Sequence, residues 1–156
     1  FNIDEATLSN QSRQKELIQM VGDAKAMFVC AKLESELAGL NPDEAEELLD
    51  TYDVKESGLN QLVHSAYDIL GLQSYLTAGE KEVRAWTIHK GYTAPQAAGV
   101  IHTDFERGFI AAQIINYDDL VAAGSEQAAR SLGKIRTEGK TYIMQEGDVV
   151  EFRFNV

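Results

Sequence analysis

The sequence predicts a mixed fold, with α/β character in residues 1–70 and a small α+β domain in residues 71–156. Three observations support this division. Helical apolar patterns surround one short apolar run in the first part, whereas strand-like segments prevail in the second. Residues 1–70 carry 14 acidic and 5 basic residues, and residues 71–156 carry 11 acidic and 9 basic ones. No low-complexity tract separates the two parts.

The first part is expected to contain several helices and one internal strand. Apolar spacing and capping residues predict helices at 11–21, after Lys32, from Pro42 onward and at 57–70. Asn41 and Glu44 have the spacing of a capping box, and Pro42 suits the first helical position. The apolar run at 26–30 is typical of a strand that is buried on both faces of a parallel sheet.

The second part alternates between strand and helix patterns. We expect strands at 83–88 and 109–115, a hairpin formed by 142–144 and 149–154, and helices at 94–101 and 125–132. Trp86 lies in a predicted strand, which favours a core position or an interface anchor. His102 and Asp104 follow the first of these helices. We interpret them as a turn rather than a catalytic pair, because no candidate nucleophile stands near them in the sequence.

Composition limits the possible functions. The chain has 156 residues, of which 44% are hydrophobic and 25% charged, and no apolar run approaches the length of a membrane span. The single cysteine, Cys30, excludes an internal disulfide and fits a reducing, cytoplasmic location. A net charge of −11 argues against general nucleic-acid binding, so any RNA contact must come from a local patch.

Two short motifs predict a site for a purine base. Each motif follows the carboxyl end of a predicted strand. In a doubly wound sheet, the carboxyl ends of the strands face the same ligand crevice. Asn2 offers an amide, Glu5 an acceptor carboxylate, and the loop at Ala31 a backbone N–H, while the stem of Lys32 can lie against a ring. The full set is Asn2, Ile3, Glu5, Cys30, Ala31 and Lys32. The alternative for the first motif is an Asx-turn, and for Cys30 a buried small hydrophobe.

These motifs resemble the base-recognition pair of the translation-factor class of P-loop GTPases, which is normally Asn-Lys-x-Asp followed by Ser-Ala-Lys. Here Ile3 replaces the lysine and Glu5 the aspartate. Glutamate is one methylene longer, so its pairing with two guanine donors should be lost. The Asn-x-x-Glu variant resembles that of the YchF family, which is Obg-related. This resemblance implies that ATP is used at least as well as GTP.

Three segments of the second part, 75–88, 94–105 and 145–156, resemble the TGS domain and the C-terminal region of YchF proteins. The resemblance covers nearly the whole chain. It implies terminal βα units of a P-loop NTPase domain in residues 1–70 and a β-grasp TGS domain in residues 71–156. It also implies ATP or GTP and the ribosome as partners, a cytoplasmic location, and no membrane.

The phosphate-binding motif Gly-x-x-x-x-Gly-Lys-[Ser/Thr] does not occur in the sequence. The phosphate cradle and the hydroxyl that binds Mg²⁺ are therefore expected only in a longer parent protein. Phosphoryl transfer depends on those groups, so we predict that this chain alone hydrolyses no nucleotide. We predict neither a catalytic residue nor a metal site within it. Because Phe1 rather than Met opens the sequence, we expect the chain to begin inside a structural element.

A basic cluster stands out in the second part. The cluster consists of Lys134 and Arg136, between Gly133 and Gly139, and of Lys140, directly after Gly139. The two glycines predict that this basic segment is a mobile loop. This loop is either a solvated surface or a contact to phosphates of the ribosome or another structured RNA. The main hypothesis is thus a fragment of a ribosome-associated YchF-type ATPase or GTPase. The alternative is a stand-alone TGS-type module that binds RNA or protein without nucleotide chemistry.

Overall fold

The computed structural model describes residues 1–79 and 82–155. The chain divides into two compact units, Phe1–Ala66 and Tyr67–Val156. Helices occur in both units, and one five-stranded sheet lies in the second. This confirms the predicted mixture of α and β structure. No helix in the described part of the chain is both long and apolar enough to cross a membrane. Glu80, Lys81 and Val156, which belong to the segments that resemble TGS domains, lie outside the described residues.

The first unit consists of short helices. They are α1 Glu5–Leu8, α2 Gln11–Val21, α3 Ala31–Leu37, α4 Pro42–Thr51 and α5 Gly58–Leu70, the last of which contains the division between the units. The expected helices are all present. Asn41 and Glu44 form the predicted capping box at the start of α4. The helix α2 begins where the Asn10 side chain accepts from the Arg13 N–H, and it ends at Gly22, whose φ of 61° favours glycine.

The strand expected at 26–30 is reduced to a single parallel bridge between Asn2 and Val29. The Ile3 N–H donates to the Val29 carbonyl and the Val29 N–H to the Phe1 carbonyl, each over 2.9 Å. A strand of the expected kind lies inside a parallel sheet, with hydrogen-bonded strands at both edges and helices on both faces. Among the described residues this segment has one neighbour, so the expectation of a full strand was wrong.

The second unit contains a five-stranded sheet with helices. Its elements are β1 Leu72–Ala78, β2 Val83–His89, α6 Ala94–Ile101, α7 Thr103–Arg107, β3 Phe109–Asn116, α8 Tyr117–Ala123, α9 Glu126–Ser131, β4 Arg136–Glu138 and β5 Asp148–Phe154. The strand order is β2-β1-β5-β3-β4. Strands β1 and β5 are parallel, and the other neighbouring strands are antiparallel.

The sheet carries a hydrophobic core. The larger cluster combines residues of α6 with residues of the strands. Alternate residues of a strand face the same side of the sheet, and here that side packs against α6. Its buried members are Tyr75, Ile88, Ala94, Ala97, Ala98, Phe109, Ala112, Ile114, Met144 and Val150. The three alanines let α6 approach the sheet closely. A smaller cluster, Ile115, Ala129 and Val149, packs with partly buried residues that include Leu120 of α8 and Leu76 of β1.

Two local expectations in the second unit were wrong. The hairpin of 142–144 with 149–154 does not form, because Ile143 instead bridges Thr93, and β5 pairs with β1 and β3. The basic segment 133–140 is not simply a loop, since β4 lies within it and pairs with β3. The strand β1 and the helices α7 and α8 were not predicted from the sequence.

Candidate functional site

The parallel bridge between Asn2 and Val29 brings the two predicted base-site motifs together. Because Asn2 lies opposite Val29, its side chain reaches the first turn of α3 two residues farther along. The Ala31 N–H donates to Asn2 Oδ1 over 3.1 Å. This bond satisfies one of the free N–H groups at the start of α3, where Cys30 provides no side-chain cap. The Ala31 N–H was expected to face the base directly, and in this structure it bonds to Asn2.

A second contact links the same motifs. Lys32 Nζ lies 2.5 Å from Glu5 Oε1 and 4.0 Å from Glu36 Oε1. The Glu5 side chain is 29% exposed and that of Lys32 is 67% exposed, so the carboxylate is the more enclosed partner. The hydrogen bond to Glu5 and its negative charge raise the pKa of the Lys32 amino group above its usual value. Lys32 therefore stays charged throughout the neutral range.

The two remaining members of the predicted set are less exposed. Cys30 is buried, which agrees with its interpretation as a small hydrophobe beneath the site. Ile3 is half-buried, and its N–H is used by the Val29 carbonyl. All six predicted residues thus lie within two neighbouring segments. Within residues 1–79 and 82–155, Asn2 Nδ2 and the second carboxylate oxygen of Glu5 make no hydrogen bond. The first can donate and the second can accept.

Two residues that support this region were not singled out from the sequence. Asp4 caps α1, because its carboxylate accepts from the Thr7 hydroxyl and from the Thr7 N–H. Glu34 accepts from the N–H groups of Gly58 and Leu59 at the start of α5, over 2.7 and 3.3 Å. The spacing of Asp4 and Thr7 is a recognisable capping signal. Glu34 and Gly58 are 24 positions apart, so no local pattern could have paired them.

The predicted basic cluster is already partly neutralised. Lys134 Nζ lies 2.9 Å from Asp119 Oδ1, and Arg136 lies 3.9 Å from the carboxylates of both Glu138 and Asp148. The Lys140 side chain has no hydrogen-bonding or ion-pair partner within residues 1–79 and 82–155. A cavity of about 370 Å³ lies beside the cluster, lined by Asn116, Asp119, Gly133, Lys134 and Arg136.

Arg136 is held in place by a partly buried network. The Tyr142 hydroxyl donates to the buried carboxylate of Asp148, and Arg136 Nη2 donates to the same hydroxyl oxygen over 3.3 Å. The Arg136 guanidinium also lies 5.7 Å from the Tyr142 ring centre. Burial and the Asp148 carboxylate raise the pKa of Tyr142 above its usual value. These contacts join Arg136 to the second unit, whereas the Lys140 side chain has no such contact among the described residues.

His102 and Trp86, which were considered for catalysis and for an interface, both make contacts within the second unit. His102 joins α6 to α7, and its Nδ1 accepts from the Asp104 N–H. The turn expected at His102 and Asp104 is therefore the capped start of a short helix. Trp86 packs against the larger core cluster, its Nε1–H donates to Thr77, and the Arg84 guanidinium lies over its ring. No group of three or more potential metal ligands occurs in the described part of the chain.

Comparisons with known proteins cover both units. The family model YchF-GTPase_C, described as "Protein of unknown function (DUF933)", matches residues 72–155. The ribosome-binding ATPase YchF of Bacillus subtilis is 53% identical over 134 residues, which are 86% of this chain and 37% of that protein. Its counterpart from Pasteurella multocida is 49% identical over 158 residues, 99% of this chain and 43% of that protein. The chain thus spans about two fifths of the length of these relatives.

Two solved structures also match nearly the whole of this chain. The YchF GTPase of Schizosaccharomyces pombe has a TM-score of 0.79 at 37% identity and matches 97% of this chain, which is 42% of that protein. A GTP-binding protein of Pyrococcus horikoshii has a TM-score of 0.62 at 20% identity over 95% of this chain and 44% of that one. The second comparison shows a shared fold only.

Proposed function

This chain belongs to the YchF family, and from that premise we propose that it is the C-terminal part of a cytoplasmic ribosome-binding ATPase. One observation carries the proposal. The Asn2 and Glu5 side chains, which the base-reading role requires, both contact the segment at Ala31 and Lys32. The relatives' names support ATP hydrolysis and ribosome binding for the longer protein.

We propose that Asn2, Ile3, Glu5, Cys30, Ala31 and Lys32 form the base end of a nucleotide site. Asn2 Nδ2 can donate to a purine ring nitrogen, and Glu5 can accept from an exocyclic amine. Mg²⁺ and the phosphates of ATP or GTP require other residues, because this sequence contains no phosphate-binding loop. We propose that the chain contributes base recognition and that other residues of a longer protein hold the phosphate groups.

The proposed role of the second unit is a TGS domain with a β-grasp fold. The supporting features are the sheet order, the parallel pair β1 and β5 at its centre, and α6 packed against one face. The alternative of a stand-alone module is less well supported, because the curated relatives match the first unit as well as the second. The proposed domain division remains residues 1–70 and 71–156.

Base reading is tested in the full-length gene product by Glu5→Asp. The shorter carboxylate should recover pairing with the two guanine donors. The binding free energy of GTP relative to ATP should therefore improve by about 1–3 kcal/mol, the cost of leaving a buried polar group unpaired. Titration calorimetry with both nucleotides measures this ratio. Glu46→Asp, a change on the exposed surface of α4, is the matched control. An unchanged ratio in the Glu5 variant would show that Glu5 does not read the base.

Ribosome contact is proposed for Lys134, Arg136 and Lys140, because they are the densest group of bases in the less acidic part of the chain. Replacing all three by Ala should weaken co-sedimentation with ribosomes and flatten its salt dependence, since phosphate contacts release counterions. The control replaces Lys15, Lys25 and Lys55, which removes the same charge from the first unit. Equal loss in both triple variants would assign the effect to net charge and reject a local contact.

A further inference from the structure

A polar cavity of about 370 Å³ lies beside the basic segment of the second unit. Its lining comes from the end of β3, the first turn of α8, the residues after α9 and the start of β4. We infer that this cavity binds one backbone phosphate of ribosomal RNA, and that Asp119 competes with that phosphate for Lys134. The inference rests on the proposed ribosome contact and defines it more closely, because Lys140 does not line the cavity.

Three residues of the lining can donate hydrogen bonds to the phosphate of a nucleic-acid backbone, which only accepts them. Asn116 Oδ1 accepts from the Asp118 N–H over 2.9 Å, so the amide group is oriented by the cap of α8. The amide nitrogen of Asn116, and Nε and Nη1 of Arg136, make no hydrogen bond in the described part of the chain. Lys134 supplies the third donor. One amide and two cations around one cavity match the chemistry of a phosphodiester.

The guanidinium of Arg136 is held in place by its neighbours. Its Nη2 donates to the Tyr142 hydroxyl over 3.3 Å, and its central carbon lies 5.7 Å from the centre of the Tyr142 ring. The Glu138 and Asp148 carboxylates are 3.9 Å away, beyond hydrogen-bond length, so neither uses the remaining N–H groups. An arginine that is held in this way loses less conformational entropy when it binds an anion.

Lys134 is already paired with an anionic side chain. Its Nζ lies 2.9 Å from Asp119 Oδ1, and the two side chains are 49% and 41% exposed. Such an exposed pair is screened by solvent and weak, so a phosphate oxygen can replace the carboxylate oxygen. The lining contains two positive charges and one negative charge, and the negative charge is that of Asp119. Asp119 is therefore expected to lower the affinity of this site for RNA.

Co-sedimentation of the full-length gene product with ribosomes at low salt tests the role of Asp119. Asp119→Asn keeps the size of the side chain, removes its charge and frees Lys134. The affinity should rise about two- to fivefold, the range expected for release of an exposed ion pair. Asp118→Asn is the matched control, because it removes the same charge from the same turn of α8 and does not line the cavity. Equal gains in the two variants would overturn the inference.

Asn116→Asp tests the site while the helix cap is kept. Aspartate caps a helix as well as asparagine does, so α8 should begin at the same residue. The change replaces an amide donor by a negative charge at the cavity, and ribosome affinity should fall about two- to fivefold. Ser125→Asp is the control, since it keeps the cap of α9 and adds the same charge outside the lining. An unchanged affinity in Asn116→Asp, or an equal fall in both variants, would contradict the phosphate site.

A double variant and a second probe identify the contact. Adding Lys134→Ala to Asp119→Asn should abolish the gain, because the freed lysine is responsible for it. Protein-free ribosomal RNA in a filter-binding assay should show the same gain as intact ribosomes. A gain confined to ribosomes would assign the contact to protein and overturn the inference.

Failure of the inference differs from failure of the proposed contact. If Asp119→Asn changes nothing while alanine at Lys134, Arg136 and Lys140 still weakens sedimentation, the phosphate site is rejected and the proposed contact stands. If the triple alanine variant sediments as fully as the unaltered protein, the proposed ribosome contact is rejected, and the inference with it.

Discussion

The two compact units differ in how much apolar surface they bury. Among the described residues, the buried hydrophobic side chains of the first unit are Cys30 and Leu33, whereas the second unit has thirteen. The first unit also exposes Leu59, Leu62 and Val63 along α5. Packing therefore stabilises the second unit, while the first depends to a larger extent on hydrogen bonds at helix ends. Substitutions of the same kind should have unequal effects in the two units.

The largest effect is expected from the core of the second unit. Ile114 is fully buried between α6 and the sheet, whereas Ile110 on the same strand is 59% exposed. Ile114→Ala should lower the free energy of unfolding of this unit by about 3 kcal/mol, because it removes apolar contacts and leaves a cavity. Denaturant unfolding followed by Trp86 fluorescence reports on this unit, since Trp86 is the only tryptophan.

Ile110→Ala is the matched control for the same measurement. It removes the same atoms from a mostly exposed site, so its effect should stay within about 0.5 kcal/mol. Equal losses in the two variants would contradict the assignment of stability to buried packing. They would also remove the proposed difference between the units.

The same contrast explains which elements the sequence could predict. Helices with strong end signals were predicted well, as shown by α4, whose capping box is visible within four residues. The strand expected at 26–30 depended on neighbours that a local pattern cannot supply. The hairpin expected at 142–154 failed for a similar reason. Its turn exists, but the Gln145 N–H donates to the Asp148 side chain, and β5 finds its partners in β1 and β3.

The candidate site was predictable because its residues belong to two short motifs. The sequence placed Asn2 and Glu5 beside Ala31 and Lys32, and the structure has both contacts. It could not show that Asn2 uses its oxygen on the Ala31 N–H, since this depends on side-chain geometry. The support of α5 by Glu34 was also hidden, because that contact joins distant segments.

A smaller effect is expected from a helix cap in the first unit. Asn41→Ala removes the side-chain acceptor for the Glu44 N–H and one half of the capping box. The local free energy of opening of α4 should fall by about 1 kcal/mol. Amide hydrogen exchange along Pro42–Thr51 measures this directly. Asn60→Ala, within α5, is the control and should not change protection in α4. Unchanged exchange after Asn41→Ala would show that the cap contributes nothing to this helix.

The smallest effect is expected at Asp4, beside the proposed base site. The Thr7 hydroxyl and the Thr7 N–H lower the pKa of the Asp4 carboxyl below its usual value of 3.8. A lowered pKa in the folded state means that this cap stabilises α1 above the unfolded pKa. The contribution is lost as the pH falls through the folded pKa. Because the carboxyl is fully exposed, the loss should be confined to the local order of α1.

Thr7→Val tests this last contribution. It removes the hydroxyl donor and keeps the backbone N–H, so the pKa of Asp4 should rise part of the way toward 3.8. Carboxyl-carbon NMR titration of Asp4 measures the change. Thr51→Val, whose hydroxyl donates to the Glu47 carbonyl, is the control and should leave the Asp4 pKa unaltered. If Thr7→Val also left it unaltered, the hydroxyl would not hold the cap. The Asp4 cap of α1 would then depend on the Thr7 N–H alone. The Thr7 hydroxyl would contribute nothing to the stability of this helix.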